Sequence, residues 1–273
     1  MLQEKYNLNS NLARLEYDKR GELRYLSGRF SNYSPAYLKS NESVADIIDE
    51  LNPKNKTALS VVGSGDIPLF LSGYGARYVD VFDISVNAYI VLRMKIHMME
   101  NGFRMNSYNG VLNSLSGKRK FTKQRAWNVL QDTFQQEPDV LKYLNYMDGC
   151  GIFGAVPANP YWQMNRNEYA KIKKSVPHDY KFIWTDLYSL PKHIGRKKYD
   201  IIYLSNIVQY AGDDDVILDT VNKLRPHINK KGTIVLDALN PMYSDEYEFL
   251  NEKLDWAKTD YSEIAGTVFL KTR

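Results

Sequence analysis

The sequence predicts a doubly wound, mostly parallel α/β sheet with a helical insertion and a C-terminal antiparallel hairpin. Three observations carry that expectation. Short apolar, β-prone runs at about 57–62, 78–83, 180–184, 199–204 and 232–237 alternate with helical patterns, the rhythm of βαβ units. The first run leads into Gly63-Ser64-Gly65, and the second ends on Asp83, roughly the 20-residue spacing of a glycine loop and a ribose-binding acid. Two more strand-like runs, Leu254–Tyr261 and Thr267–Lys271, flank a turn near Gly266 and would add antiparallel strands at one edge.

The elements follow in order. Residues 1–42 are polar and mixed, with a possible hairpin through Glu22–Leu26, and read as an N-terminal flap ahead of an α/β domain spanning 43–273. Ser43 stands where an N-cap belongs, before a helix over Val44–Leu51 that stops at Asn52-Pro53. A helix over Asn87–Met99 ends at Asn101-Gly102, a normal C-terminal stop. The βαβ rhythm then breaks for about 75 residues, more than a compact crossover needs, so residues 104–178 are expected to be an insertion that forms a cap. Its helices are predicted at Val111–Leu115, Lys123–Phe134, Pro138–Tyr146 and Asn165–Lys174. Helices near 213–225 and 244–253 complete the pattern.

Composition narrows the class. The 273 residues can bury a full core, and 44% hydrophobic with 25% charged content is that of a globular protein. No apolar run approaches the roughly 18 residues of a membrane span, and Met1–Tyr6 lacks the apolar core of a secretory signal. Cys150 alone can form no internal disulfide, which fits a cytoplasmic location. The net charge of +4 is too mild to point to nucleic acid.

Three ligands compete for Gly63-Ser-Gly-Asp-Ile-Pro68. A dinucleotide fingerprint wants a small third residue where Pro68 stands, which disfavours a nicotinamide oxidoreductase. A P-loop needs Gly-Lys-Ser/Thr, which is missing. S-adenosylmethionine carries an adenosine and an amino acid but no phosphate, and it needs only the close backbone approach and the ribose acid. Gly149–Gly154 matches the dinucleotide pattern by letter, but it follows a helical run and precedes Pro157 and Pro160, so it reads as a loop.

These landmarks resemble the class I S-adenosylmethionine-dependent methyltransferase superfamily, a Rossmann-like fold. Val61–Asp66, Val81–Ile84, Trp184–Leu187, Tyr199–Asn206 and Leu224–Val235 resemble five of its motifs in order. The resemblance implies S-adenosylmethionine as cofactor, held by Gly63, Ser64, Gly65, Asp66, Asp83, Ile84, Asp186, Leu187 and Ser205. Within it, the glycines lie along the methionine part, Asp83 takes the ribose and Asp186 the adenine amino group. A narrower similarity, through Gly63–Leu71, Phe82–Ser85, Leu92–Lys95 and Tyr108–Leu112, is to the 3-amino-3-carboxypropyl transferases of betaine-lipid synthesis. Those enzymes move the cofactor's amino-acid arm instead of its methyl.

A sulfonium is already activated, so the protein chiefly aligns the acceptor and excludes water. Asn206 and Tyr210, past the fourth strand, are the candidate catalytic residues, and Tyr33, Tyr37 and Trp162 the candidate walls of an acceptor pocket. The expected acceptor is a small molecule. A non-catalytic binding module with the same fold is the alternative from another class. His97, His178, His193 and His227 lack partners at ligand spacing, so no metal is expected. Asp213–Asp215 is explained by the dipole of the helix it opens.

Overall fold

The computed structural model describes residues 37–40, 42–116, 120–138, 140–142, 144, 164–205, 207, 214–237, 248–261 and 267–273. Five strands run parallel: β1 (Thr57–Val61), β2 (Tyr78–Asp83), β3 (Lys181–Trp184), β4 (Tyr199–Ser205) and β5 (Ile228–Asp237). With β6 (Ala257–Tyr261) and β7 (Thr267–Thr272) they make one sheet in the order β3-β2-β1-β4-β5-β7-β6. β1 pairs with β2 on one side and β4 on the other, Ala58 lying opposite both Val79 and Ile201. The strand order reverses there, and the crevice outside the carboxyl ends of such strands is where open α/β sheets bind ligands.

The sheet bears out the doubly wound, mostly parallel fold. The C-terminal hairpin enters it with its later strand innermost: β7 runs against β5, Leu236 opposite Val268, and β6 against β7. Only β7 therefore opposes the common direction. Strands buried on both faces need continuous apolar runs, and β4 supplies one, with Ile201, Ile202, Tyr203 and Leu204 all at 0% exposure.

The helices are α1 (Val44–Leu51), α2 (Asp66–Gly73), α3 (Val86–Glu100), α4 (Met105–Ser116), α5 (Lys120–Thr133), α6 (Arg166–Ser175), α7 (Leu190–Ile194), α8 (Asp214–Leu224) and α9 (Glu248–Lys253). Ser43 occupies the N-cap of α1, but its hydroxyl bonds the Asp46 carboxylate instead of a backbone N–H. α4 starts six residues before the predicted Val111. Tyr108, Val111, Leu112 and Leu115 form a buried stripe at helical spacing, and the weak helix formers Asn106, Asn109 and Gly110 hide it from propensity. The Glu22–Leu26 hairpin and the Gly149–Gly154 run lie outside the described residues.

Helices α4 and α5 pack as a further helical layer. α3 is buried nearly all round, from Val86 to Met99, because α4 and α5 cover the face it turns away from the sheet. Arg93 reaches from α3 to Glu137 at 2.6 Å, with its guanidinium 4.8 Å from the Phe134 ring centre. An Asn165–Glu168 capping box starts α6. α6 then lies against α2 so closely that a Cβ on Gly73 would sit 2.6 Å from Ile172 Cγ1 and 2.9 Å from its Cα. Gly73→Ala is therefore expected to destabilise the fold by about 1–3 kcal/mol through overpacking, read as a lower urea midpoint; an unchanged midpoint would show that α6 is not seated there.

Candidate functional site

The glycine loop leaves β1 at the switch point. Gly65 N–H bonds the Val62 carbonyl at 2.6 Å, closing a tight turn with Gly63 at φ 52° and Gly65 at φ 82°. Left-handed backbone of this kind favours glycine. The two glycines differ in surroundings. A Cβ on Gly63 would meet nothing within 4 Å, whereas one on Gly65 would press on Leu92 of α3 at 3.1 Å. Gly63 thus faces open space, and Gly65 serves packing.

Asp83, at the end of β2, ties this loop to the next strand. Its Oδ2 accepts the Gly63 N–H at 3.0 Å and its Oδ1 the Ser85 N–H at 2.8 Å. A carboxylate has about four acceptor positions, so with N–H bonds from Gly63, Ser85 and Ile84 capacity is left for one hydroxyl. Burial pushes the carboxyl up to about 6, and the backbone bonds from Ser85, Gly63 and Ile84 oppose that rise. Beyond Asp83, the Thr185 N–H bonds the Asp83 carbonyl at 3.1 Å and Trp184 Nε1 the Ile84 carbonyl at 2.8 Å. The ends of β2 and β3 are held together there. Asp186 turns to its own loop: Oδ1 accepts the Ser189 N–H at 2.7 Å and Oδ2 the Ser189 hydroxyl at 3.2 Å. Leu187 is buried and Ile84 half-buried beside it.

Asp66 points into the protein. Its Oδ1 accepts Lys95 Nζ at 2.6 Å, and its Oδ2 accepts the Ser40 N–H at 2.8 Å and the Ser64 hydroxyl at 3.1 Å. Lys95 is fully buried, which pulls its ammonium below the usual lysine range, and Asp66 resists that fall. Lys39 is shifted down for the same reason, again opposed by Asp66. Tyr108 of α4 buries its hydroxyl without a hydrogen-bond partner, and burial followed by the Asp66 charge raises its pKa. At the end of β4, Ser205 takes φ 55° and donates its hydroxyl to Glu42. Tyr203 also donates to Glu42, at 2.6 Å.

The structure thus brings Gly63, Ser64, Gly65, Asp66, Asp83, Ile84, Asp186, Leu187 and Ser205 to the carboxyl ends of β1, β2, β3 and β4. Tyr37 is exposed, three residues before Ser40. Asn206, Tyr210, Tyr33 and Trp162 lie outside the described residues. Sequence reasoning missed Glu42, Ser40, Lys95 and Tyr108. The signal available for Lys95 was a lysine at the centre of an otherwise apolar helix; Glu42 offered none, because only tertiary folding carries it to β4.

No protein-family model matches the chain, and no curated protein matches it in sequence. Several solved structures bear a distant likeness to it. The rRNA methyltransferase aviRa from Streptomyces viridochromogenes is 10% identical with a TM-score of 0.45, over 92% of this chain and 94% of its own. A TehB-like SAM-dependent methyltransferase from Corynebacterium glutamicum is 9% identical with a TM-score of 0.40, over 98% and 99%. The N-methyltransferase NodS from Bradyrhizobium japonicum, in complex with S-adenosyl-l-homocysteine, is 9% identical with a TM-score of 0.39, over 83% and 82%. Likeness at this level carries no argument about this chain, whose fold rests on its own strand order and pairing.

Two outcomes follow from the buried charges. Asp83 binds its proton more tightly folded than unfolded, so its contribution to stability is complete below the unfolded value of 3.8 and is lost as pH rises through about 6. Urea titrations of wild type and Asp83→Asn should therefore diverge between pH 4 and pH 7, wild type losing on the order of 2–3 kcal/mol relative to the variant; parallel curves would place the carboxyl in solvent. Lys95→Met leaves the Asp66 carboxylate buried without its cation and should cost about 3–5 kcal/mol. The double variant Lys95→Met/Asp66→Asn should regain part of that loss, and its failure to do so would mean that the pair is not the cause.

Proposed function

We propose that this chain is an S-adenosylmethionine-dependent transferase that moves the cofactor's methyl group to a small-molecule acceptor. One juxtaposition supports the reading above all others: at the switch point, Gly63 faces open space and donates its N–H to Asp83, whose carboxylate keeps acceptor capacity. That arrangement suits a ribose on the acid with the rest of a nucleoside running along a bare backbone. Ile84 and Leu187 would wall the adenine. Asp186 would keep the turn after β3 in shape through Ser189 and use a remaining lone pair for the adenine amino group. Asn206 and Tyr210 follow Ser205 in the chain and remain the proposed acceptor-side residues, with Tyr33, Tyr37 and Trp162 as pocket walls.

When bound, the cofactor supplies a sulfonium-activated carbon. What this chain contributes is alignment and exclusion of water, both positioning effects. A second reading, transfer of the aminocarboxypropyl arm, has its own support: Lys95, in one segment of the narrower resemblance, pairs with Asp66 beside the glycine loop, and Tyr108, in another, is buried where the Asp66 charge raises its pKa.

Calorimetry with S-adenosylhomocysteine tests the cofactor. Binding is expected, strengthening between pH 5 and pH 7 as Asp83 ionises at about 6. Asp83→Ala should weaken it by about 1–3 kcal/mol. No binding by the folded protein would instead favour the non-catalytic module. In turnover, S-adenosylhomocysteine as product supports methyl transfer, whereas methylthioadenosine alone supports the second reading.

A further inference from the structure

We propose that Leu38–Ser40 and Glu42 form a strap completing the acceptor side of the site, with Glu42 as its positioning residue and the Asp66–Lys95 pair as the latch that holds it. The inference rests on the transferase reading above for what the strap serves, but its geometry stands apart from the cofactor.

The strap crosses from the glycine loop to the end of β4 by an unbroken set of hydrogen bonds. Lys95 Nζ binds Asp66 Oδ1, and Asp66 Oδ2 accepts the Ser40 N–H. The Ser40 hydroxyl then meets Glu42 twice, donating to Oε2 at 3.3 Å and accepting the Glu42 N–H at 3.2 Å. Glu42 Oε2 accepts Tyr203 and Oε1 accepts Ser205, both on β4. Leu38 is fully buried beneath the strap, and Ser40 and Glu42 are 6% and 7% exposed. Burying a carboxylate at a sheet edge is costly unless it is well hydrogen-bonded. Here three hydroxyls converge on one brought from 163 residues away in sequence.

The positioning has a chemical sense. A carboxylate can only accept, so Ser205 must donate its single proton to Glu42, and its oxygen can then only accept from any further partner. Ser205 holds this pose in left-handed backbone, φ 55°, at the strand end beside the switch point. Such strain in a non-glycine residue is concentrated at functional sites. The Ser205 oxygen is thereby turned into a fixed acceptor for an N–H or O–H presented beside the transferred group. Asp66, expected from the sequence to touch the cofactor, also bears on the strap through the Ser40 N–H.

The latch can be read with or without ligand, because the strap contains a tryptic site at Lys39–Ser40. Limited trypsin digestion of the full chain, followed by mass spectrometry, gives the rate of the cut after Lys39 relative to the cut after the exposed Lys174 of α6. Glu42→Gln and Asp66→Asn should each raise that ratio at least tenfold. Saturating S-adenosylhomocysteine should slow the cut after Lys39 in wild type and protect less in Glu42→Gln. A ratio that stays at the wild-type value in both variants, or a Lys39 cut that rises only in step with the Lys174 cut, would overturn the strap. Failure of S-adenosylhomocysteine to bind counts against the transferase reading alone, and the ligand-free ratios then decide the strap.

Discussion

The buried ion pair between Asp66 and Lys95 is the constraint on which the site's architecture depends. An ammonium and a carboxylate removed from water are tolerable only when each is matched by the other and by hydrogen bonds. Asp66 meets that condition by accepting from three elements at once: α3 through Lys95, the N-terminal strap through Ser40, and the glycine loop through Ser64. A shift of α3 alone would leave a charge unpaired, and a shift of the strap or the loop would take a hydrogen bond from the buried carboxylate. The loop is therefore held by electrostatics on its inner side and left bare on its outer side.

That division separates residues adjacent in sequence. Gly63 and Gly65 flank one serine and share positive φ, yet one faces open space and the other is pressed against Leu92. Asp66 and Asp83 are both acids at ends of the same crossover, yet one is consumed by the protein and the other keeps acceptor capacity. Asp83 retains it at a cost, since burial without a cation raises its pKa toward neutrality. A site that takes hydroxyl donors has a use for such a carboxylate, because the ligand supplies the bonds that burial removed.

Much of this was legible in one dimension. The five parallel strands, the glycine loop and the acid at the end of β2 follow from apolar runs, turn residues and spacing, which are local signals. The insertion was legible as a length anomaly, and its seating was not. That α6 lies on α2 depends on Gly73 meeting Ile172, two residues about a hundred positions apart whose fit no periodicity records. The early start of α4 was obscured by asparagines and a glycine whose weak propensity is overridden by the buried stripe from Tyr108 to Leu115.

The sequence by itself determined the strands of the sheet, the order of its βαβ units and the places of the glycine loop and Asp83 along them, because period, turn chemistry and short-range spacing act within a few residues. Only the tertiary structure decided which acid is free and which is spent, how Lys95 can be fully buried, and that Glu42 meets Ser205 at the end of β4. Those outcomes rest on desolvation and hydrogen-bond partners supplied across long chain separations, and a residue's neighbours in space are not written in its neighbours in sequence.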